Sequence, residues 1–508
     1  MWNSLVGTLS DKLPKFNDYL LREFRPESLK RSPDYMGMTT TECLTVFGDK
    51  MKYHGYEVLT PEERVEYIFN RNIQKRTFEI QQSNLKLIRI SISLDNIMHN
   101  GIIPVPYLSS GRLVLSDTHY YPLFAIVERG LHITKNEIIV KVLRAPLKFW
   151  RRETIIFRAT DGRSFRPIVM TVKIHQKVRS GKKSERTPLI LYHLTQYGFA
   201  KSAEIFGFKS GDIQLVDKEV ESDRDFFYFI KLKDDVFIKV RKECMSDQYM
   251  QGFVGSIVHI CEFNSKYTLK DLTSTKSAYY HVTLGRHTYG ANKDSLLYNN
   301  AEEHLRMNDS LLDPAAKVQL ATIGINVSNI YELLREIYFK MDSFVWNYNP
   351  IDLYNKKLGS LEQMLSGFVR NLYNAQFRIL NNKKIGLTQE SAANFIRDVC
   401  KRGSFVKTTQ IYRGNPSIYN DNWLLTIGAK RFRSLEAMEL NVQGVKKKCR
   451  IPPYLTKAHP SHMVVESLLT IPTSTPVISG SINPYLKIDR EGNIIKPVNY
   501  LKYAKVFA

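Results

Sequence analysis

Basic side chains are the residues of this sequence whose types and spacing could do chemistry. Lys and Arg side chains neutralise phosphate groups without reading a base sequence. In the stretch 430–462 the candidates are Lys430, Arg431, Arg433, Lys446, Lys447, Lys448, Arg450, His459 and His462. A second stretch, residues 146–186, contains 12 Lys or Arg and 3 acids, and its candidates are Arg151, Arg152, Lys182 and Lys183. Both stretches are candidates for contact with nucleic acid, and a charge run that only faces water is the alternative.

Charge and length define the class of protein. The chain has 508 residues, with 73 Lys and Arg against 50 Asp and Glu, a net charge of +23. This charge favours a polyanionic partner, nucleic acid first and an anionic membrane surface second. Hydrophobic residues make up 43% of the chain, which is enough to form cores and excludes general disorder. The length predicts about three domains.

Motifs of self-contained enzymes are missing from the sequence. It has no phosphate-binding GxxxxGK[ST] loop, no GxGxxG and no HExxH. The five cysteines are scattered and form no CxxC pair, which predicts reduced thiols rather than a zinc site. His459 and His462 lack the Cys or acidic neighbours of a metal site. We therefore predict no catalytic residue, metal or bound cofactor in this chain, and no membrane span.

Apolar patterning predicts the elements that position these residues. We expect a helix from Pro61, strands at 85–92 and 137–143, and two strands at 155–157 and 168–172 joined by a turn at 161–164. A helix is predicted for 189–208, β-rich structure for 226–290, and mainly helices for 311–400, including 330–339 and 361–380. Residues 1–60 give no clear signal, and the last hundred residues are irregular.

Three segments occur in the order found in the N-terminal half of the β subunit of multisubunit DNA-dependent RNA polymerases. Residues 355–364, beginning Asn-Lys-Lys-Leu, resemble the family's Asn-Lys/Arg-Arg motif, although Asp352 lies three residues before the Asn instead of four. Residues 431–435 and 446–450 are similar to the family's fork region, where basic residues contact nucleic acid. The third segment, 455–462, resembles the His-Pro-Thr-His stretch of bacterial β.

Further features extend or limit this resemblance. Lys448 and Arg450 occupy the two basic positions that precede the His pair in the family. Weaker similarity covers 120–129, a strand leading into the lobe, and 187–199, within the lobe. The family's Cys-Pro-Ile-Glu-Thr-Pro-Glu-Gly is replaced at 466–476, and the sequence stops short of the C-terminal half of β. Such divergence with a split β resembles the polymerases of giant (jumbo) tailed bacteriophages.

The resemblance implies a mixed α+β, multidomain fold with protrusion, lobe and fork domains. It places the first part of a protrusion-like domain at 1–145, a lobe-like domain at 146–340, and the second, helical part of the protrusion at 341–405. Residues 406–508 would hold the fork region and the interface with a C-terminal β fragment, for which we choose 468–508.

The same resemblance implies a function. The chain would be a subunit of a DNA-directed RNA polymerase, a nucleotidyltransferase, and would form one side of the DNA cleft. It would contact downstream DNA and the RNA–DNA hybrid. The Mg²⁺ of the assembled enzyme is expected on an acidic triad of a partner chain. Expected partners are the C-terminal β fragment, β′ fragments, a promoter-specificity subunit, the DNA template and the hybrid, with no membrane. The expected location is the cytoplasm of the infected bacterial host, with packaging in the virion left open.

Alternative readings stay open at this point. The chain could be a nonenzymatic DNA-binding or virion structural protein, although that role does not account for the three ordered segments. A stand-alone nuclease or transferase would need an acidic or His/Cys cluster that the sequence lacks. Lys446–Lys448 could be a solvated charge run, Phe432 a core residue instead of a stacking platform, and the His pair a hydrogen-bonded structural pair instead of a hybrid contact.

Overall fold

The computed structural model divides the chain into two compact units. One unit is formed by residues 1–129 and 349–508, and we call it the discontinuous unit; residues 130–348 form the inserted unit. The protrusion, lobe and fork identities of the expected segments stay predictions. The structure describes residues 28–73, 85–106, 113–115, 118–122, 124–133, 137–140, 142, 147–153, 156–174, 187–232, 236–263, 312–347, 349, 351–359, 365–381, 386–400, 411–413, 431–434, 459–465, 479–483 and 486–497.

The N-terminal half of the discontinuous unit begins with a helix and continues mainly as strands. Its elements are α1 (Ser28–Leu44), β1 (Met51–Val58), α2 (Pro61–Ile73), β2 (Leu85–Leu94), β3 (Ile97–Pro106), β4 (Leu113–Leu115), β5 (Thr118–Pro122) and β6 (Phe124–Glu128). Strands β1, β2 and β3 form an antiparallel sheet. Asp95 and Asn96 both have positive φ, which suits the two-residue turn between β2 and β3.

Two of these elements confirm the sequence predictions, and α1 was missed. The β2 alternation buries Ile88, Ile90 and Ile92. Helix α2 starts at Pro61, as predicted. Helix α1 carries Pro33 and three successive threonines, residues of low helix propensity, so its pattern is weak. Each of those threonine hydroxyls donates to a carbonyl one turn earlier in the helix.

The inserted unit contains a five-stranded antiparallel sheet covered by helices. Its elements are β7 (Leu131–Ile133), β8 (Glu137–Val140), β9 (Leu147–Glu153), β10 (Phe157–Arg158), β11 (Ser164–Phe165), β12 (Ile168–Ile174), β13 (Thr187–Pro188), α3 (Leu189–Ile205), β14 (Ile213–Val216), β15 (Phe227–Lys231), β16 (Phe237–Arg241), α4 (Gln248–Phe263), α5 (Pro314–Ala321) and α6 (Ile330–Asn347). The large sheet has the order β13-β12-β9-β8-β7, and β14-β16-β15 form a second sheet.

Aromatic side chains fill the core of the inserted unit. Phe206 of the α3 C-terminus packs against Phe253 of α4 at 5.4 Å and Tyr338 of α6 at 4.8 Å between ring centroids. His193 of α3 is 1% exposed and bonds through Nε2 to the carbonyl of Tyr331 at 3.1 Å. Burial lowers the pKa of His193 to about 4, so the ring is neutral in the core.

Two predictions for the inserted unit need correction. The 161–164 turn closes the short β10–β11 ribbon, and β12 follows only after it. The β-rich prediction for 226–290 was wrong for residues 248–263, which form α4, and residues 264–290 lie outside the described part of the chain. Every residue from 252 to 258 is buried. A short, mostly apolar run of this kind does not distinguish a buried helix from a buried strand by periodicity. The helical predictions for 189–208 and 330–339 are confirmed.

The C-terminal half of the discontinuous unit packs one helix against α1 and another against the β1–β2–β3 sheet. Its elements are β17 (Lys356–Gly359), α7 (Ser366–Asn381), α8 (Gln389–Val399), β18 (Ile411–Arg413), β19 (Arg431–Ser434), α9 (His462–Val465) and β20 (Ser479–Ser481). Gln376 of α7 donates to the carbonyl of Cys43 at 2.7 Å, and Gln389 of α8 donates to the carbonyl of Leu94 at 3.0 Å. Strand β18 extends the β5–β4 pair to three strands. None of the described helices has the length and apolar content to cross a membrane.

We predict that Gly255→Ala destabilises the inserted unit. A Cβ at this position would lie 2.7 Å from Cβ of Pro167 and nearer still to its Cγ, and the proline ring cannot rotate away. The clash should cost about 1–3 kcal/mol in the free energy of unfolding. Urea unfolding of the full chain measures this, with Val318→Ala, at a 58% exposed position of α5, as the control that should stay within about 0.5 kcal/mol. Equal stability of both variants would contradict close packing of α4 on β12.

Candidate nucleic-acid interface

A four-stranded sheet of the discontinuous unit, here named the motif sheet, joins segments that are distant in the sequence. Its order is β17-β6-β19-β20. Strands β6 and β19 pair in parallel. Phe432 lies opposite Phe124, although 308 positions separate these two residues in the sequence. Strand β17 pairs with β6, and β20 pairs with β19. Three of the segments that carry the resemblance therefore contribute to one sheet: 120–129, 355–364 and 431–435.

The His-Pro-Ser-His turn, residues 459–462, is attached to the same sheet. The Ser461 hydroxyl accepts a hydrogen bond from the backbone N–H of Leu353 at 2.9 Å, just before β17. On the other side, Asn483 follows β20 and donates its backbone N–H to the carbonyl of Val465 at 2.9 Å. The fourth segment of the resemblance thus packs beside the other three.

An apolar cluster holds these parts together. Its members come from β6, β17, the turn before β17, α9 and residues 482–494. They are Ile126, Leu353, Tyr354, Leu358, Val465, Ile482, Leu486, Ile488 and Ile494. Because each is largely removed from water, the cluster stabilises the sheet through the hydrophobic effect. Arg129 adds polar links, donating from Nη2 to the carbonyl of Ile494 at 2.6 Å and from Nε to that of Lys356 at 3.3 Å.

His459, Ser461 and Asp352 lie together but do not form a catalytic triad. His459 Nδ1 is 2.8 Å from Ser461 Oγ and 3.7 Å from Asp352 Oδ1. A triad requires the serine and the carboxylate on opposite ring nitrogens, whereas here both contact Nδ1. Ser461 is also fully buried. The group orders the turn and does not activate a nucleophile.

His462 lies inside the discontinuous unit. Its side chain is 2% exposed, and burial lowers its pKa to about 4, with His459 and Lys356 adding to the effect. The ring is therefore neutral at neutral pH. This environment fits the structural alternative for His462. The predicted hybrid contact of the His pair stays a prediction.

The structure describes only part of the predicted basic sites. Arg431 and Arg433 lie in β19, opposite Ser481 and Ser479 of β20. Other predicted residues fall outside the described part of the chain: Lys430, Lys446, Lys447, Lys448, Arg450, Lys182 and Lys183.

The first residues of the 146–186 tract lie in β9 of the inserted unit. Arg151 forms a 2.7 Å ion pair with Asp342 of α6, and Lys148 forms one of 3.0 Å with Glu137. Arg152 is the next residue of β9 after Arg151. Part of the basic charge of this tract is thus compensated inside the unit, and the tract's nucleic-acid contacts stay predictions.

A basic hairpin beside the motif sheet was missed from the sequence. Residues 486–497 fold back through a bridge between Ile488 and Ile494, and Leu358 of β17 donates its N–H to the carbonyl of Gly492 at 2.8 Å. Lys487, Arg490 and Lys496 are exposed on this hairpin, as is Glu491, and with Asp489 the net charge of 486–497 is +1. The signal was present in the alternation Leu-Lys-Ile before an Asp-Arg-Glu-Gly-Asn turn. Within the described ranges, no three His, Cys, Asp or Glu side chains cluster as a metal site would require.

A protein-family comparison identifies the class of the chain. The model of the non-virion RNA polymerase subunit family matches residues 11–403. The chain belongs to this family. The matched region covers the inserted unit and the discontinuous unit as far as α8, and it ends before β19 and the His turn. No curated protein sequence matches the chain.

Membership has direct consequences. As an RNA polymerase subunit, the chain is part of an enzyme complex and has other subunits as partners. A non-virion polymerase acts in the infected cell, and this agrees with the phage origin expected from the sequence. The structure is mixed α and β, as predicted.

We predict that Ser461→Ala destabilises the discontinuous unit. The change leaves the buried N–H of Leu353 without its acceptor, at a cost of about 1–3 kcal/mol. The control is Thr45→Ala, which removes an exposed hydroxyl bonded to the carbonyl of Glu42 and should change the free energy of unfolding by less than about 0.5 kcal/mol. Urea unfolding of the full chain compares the two, and a cost for Ser461→Ala no larger than the control would refute the link.

We also predict a pH dependence that originates at His462. Its folded-state pKa of about 4 lies below the ordinary value near 6.5. Between these values the unfolded state binds a proton that the folded state does not, so stability is full above about pH 6.5 and falls towards pH 4. The loss should reach about 3 kcal/mol. Thermal unfolding from pH 7 to 4.5 should show a weaker pH dependence in His462→Gln, and an unchanged one would contradict the burial argument.

Proposed function

We propose that this RNA polymerase subunit is the N-terminal fragment of a split β subunit. It forms one side of the DNA cleft and contacts downstream DNA and the RNA–DNA hybrid. The observation that carries the proposal is the motif sheet. Segments 120–129, 355–364, 431–435 and 455–462 were chosen from the sequence by resemblance to β. Their described residues, in β6, β17, β19 and the 459–462 turn, lie around one sheet and one apolar cluster.

Backbone geometry supports a shared role for Arg431 and Arg433. The two residues alternate with Phe432 along β19, so their positions share one side of the sheet. A pair of basic positions on one side can follow a phosphate backbone. The exposed Lys487, Arg490 and Lys496 lie on the hairpin that packs against β17 at the other end of the sheet. The proposed interface therefore extends beyond the residues predicted from the sequence.

We propose that this chain binds nucleic acid and that the catalytic residues lie on other subunits. We propose that a β′ fragment carries the acidic triad for Mg²⁺, and that this chain binds no cofactor of its own. The described residues offer no three-carboxylate group that fits the metal, so no catalytic step is assigned to them. Lys448 and Arg450, and the inserted unit's Arg151, Arg152, Lys182 and Lys183, remain part of the proposed nucleic-acid contacts.

The C-terminal β fragment is proposed to dock at residues 468–508. Strand β20 lies in this range and forms one edge of the motif sheet. The outer backbone groups of an edge strand can pair with another chain. A β fragment adding a strand there would continue the sheet that carries Arg431 and Arg433. A promoter-specificity subunit remains a further proposed partner.

The test is the charge reversal Arg431→Glu with Arg433→Glu in the assembled polymerase. If both residues contact phosphates, elongation complexes should dissociate at lower salt. The slope of log affinity against log salt should weaken by about 1 to 2. The matched control reverses the exposed Lys50 and Arg64 of the same unit and should leave the slope unchanged.

Co-purification of the other subunits establishes that both variants assemble. If elongation complexes of the Arg431/Arg433 variant have the same lifetime and the same salt slope as those of the control, the proposed contact with the hybrid is refuted.

A further inference from the structure

A loop of the inserted unit, residues 217–226, exposes two large apolar side chains. Phe226 is 69% exposed, the largest value for any large hydrophobic side chain in the described part of the chain, and Val220 is 48% exposed. Exposed apolar residues scattered singly are ordinary, but large aromatic side chains are the residues that most often anchor protein–protein contacts.

The backbone of this loop is held by hydrogen bonds. Two consecutive turns are closed by backbone hydrogen bonds. The Asp223 N–H donates to the Val220 carbonyl, and the Phe226 N–H donates to the Asp223 carbonyl, each at 3.2 Å. Lys242 of the segment after β16 donates its N–H to the Phe226 carbonyl at 3.0 Å. A loop that is already ordered loses little conformational entropy on binding, which favours its use as a contact.

Side-chain bonds fix the base of the loop. Glu219 accepts from the Thr160 hydroxyl at 2.7 Å and pairs with Arg224 at 2.9 Å. Asp223 pairs with Lys239 of β16 at 2.5 Å. Because Glu219 and Asp223 are paired within the unit, the negative charge that the loop presents to solvent comes from its other acidic residues.

The outward charge of the loop is negative in a strongly basic chain. Residues 217–225 contain five acids and two bases, Lys218 and Arg224. Asp217, Glu221 and Asp225 are exposed, and no described residue forms an ion pair with them. Nearby Lys239 and Arg241 are held by Asp223 and Asp212. Nucleic acid would meet repulsion from these carboxylates, whereas a Lys- or Arg-rich protein segment would be attracted.

We propose that the 217–226 loop docks a basic segment of another subunit of the polymerase. Phe226 is the anchor, Val220 extends the apolar contact, and Asp217, Glu221 and Asp225 pair with Lys or Arg of that segment. The proposal rests on the chain being a polymerase subunit and is independent of its assignment to β.

Photo-crosslinking in the assembled polymerase tests this contact. A benzophenone amino acid placed at position 226 should crosslink to a Lys- or Arg-rich peptide of another subunit, identified by mass spectrometry. The same probe at position 318, an isolated exposed position of α5, should give at least tenfold less of that product. Crosslinks only to DNA or RNA, only within this chain, or at equal yield from both positions would overturn the proposal.

Substitution provides a second test on the same complex. Phe226→Asp should lower the fraction of the crosslinked subunit retained at moderate salt by at least tenfold, while Val318→Asp should not. The triple reversal Asp217→Lys, Glu221→Lys and Asp225→Lys should weaken retention in the same direction. Circular dichroism of each purified chain establishes that it is folded. Full retention in the folded Phe226→Asp and triple variants would refute the docking role.

Discussion

The hydrogen bond from the Leu353 N–H to Ser461 Oγ is the contact on which the proposed interface depends. It joins residues 108 positions apart, inside an apolar cluster that excludes water. On one side lies β17, which continues through β6 to β19. On the other lies α9, which Asn483 ties to β20. This hydrogen bond thus connects the two sides of the sheet across the apolar cluster.

Local elements of this fold follow from the sequence, and its long-range pairings do not. The helix from Pro61 and the strand at 85–94 have strong local signals, a capping proline and clean alternation. Helix α4 was mistaken because the buried run at its centre is mostly apolar, and such a run also fits a buried strand. The parallel β6–β19 pair joins Phe124 to Phe432, and nothing in either short strand specifies its partner. The sequence placed the two strands in separate segments, and only the structure shows that they pair.

The site shows the same division between local and non-local information. Basic residues could be picked from composition, but their surroundings could not. Arg151 pairs with Asp342, nearly two hundred positions away, and His462 is buried beside Lys356. The basic hairpin at 486–497 went unnoticed because its alternation is short and lies in an irregular stretch. The net charge of +23 is therefore unevenly distributed. Some basic residues are neutralised by ion pairs, others lie at the motif sheet, and the 217–226 loop is acidic.

The most direct test of the central claim is a cryo-electron microscopy structure of the assembled polymerase on a DNA–RNA scaffold. The measured quantity is the distance from the β19 side chains and the 486–497 hairpin to the nearest phosphates. We predict hydrogen-bonding distance to a phosphate for at least one side chain among Arg431, Arg433, Lys487, Arg490 and Lys496. If every residue of the motif sheet and of the 486–497 hairpin lies farther than about 10 Å, a Debye length, from the nearest phosphate, the proposed interface is contradicted.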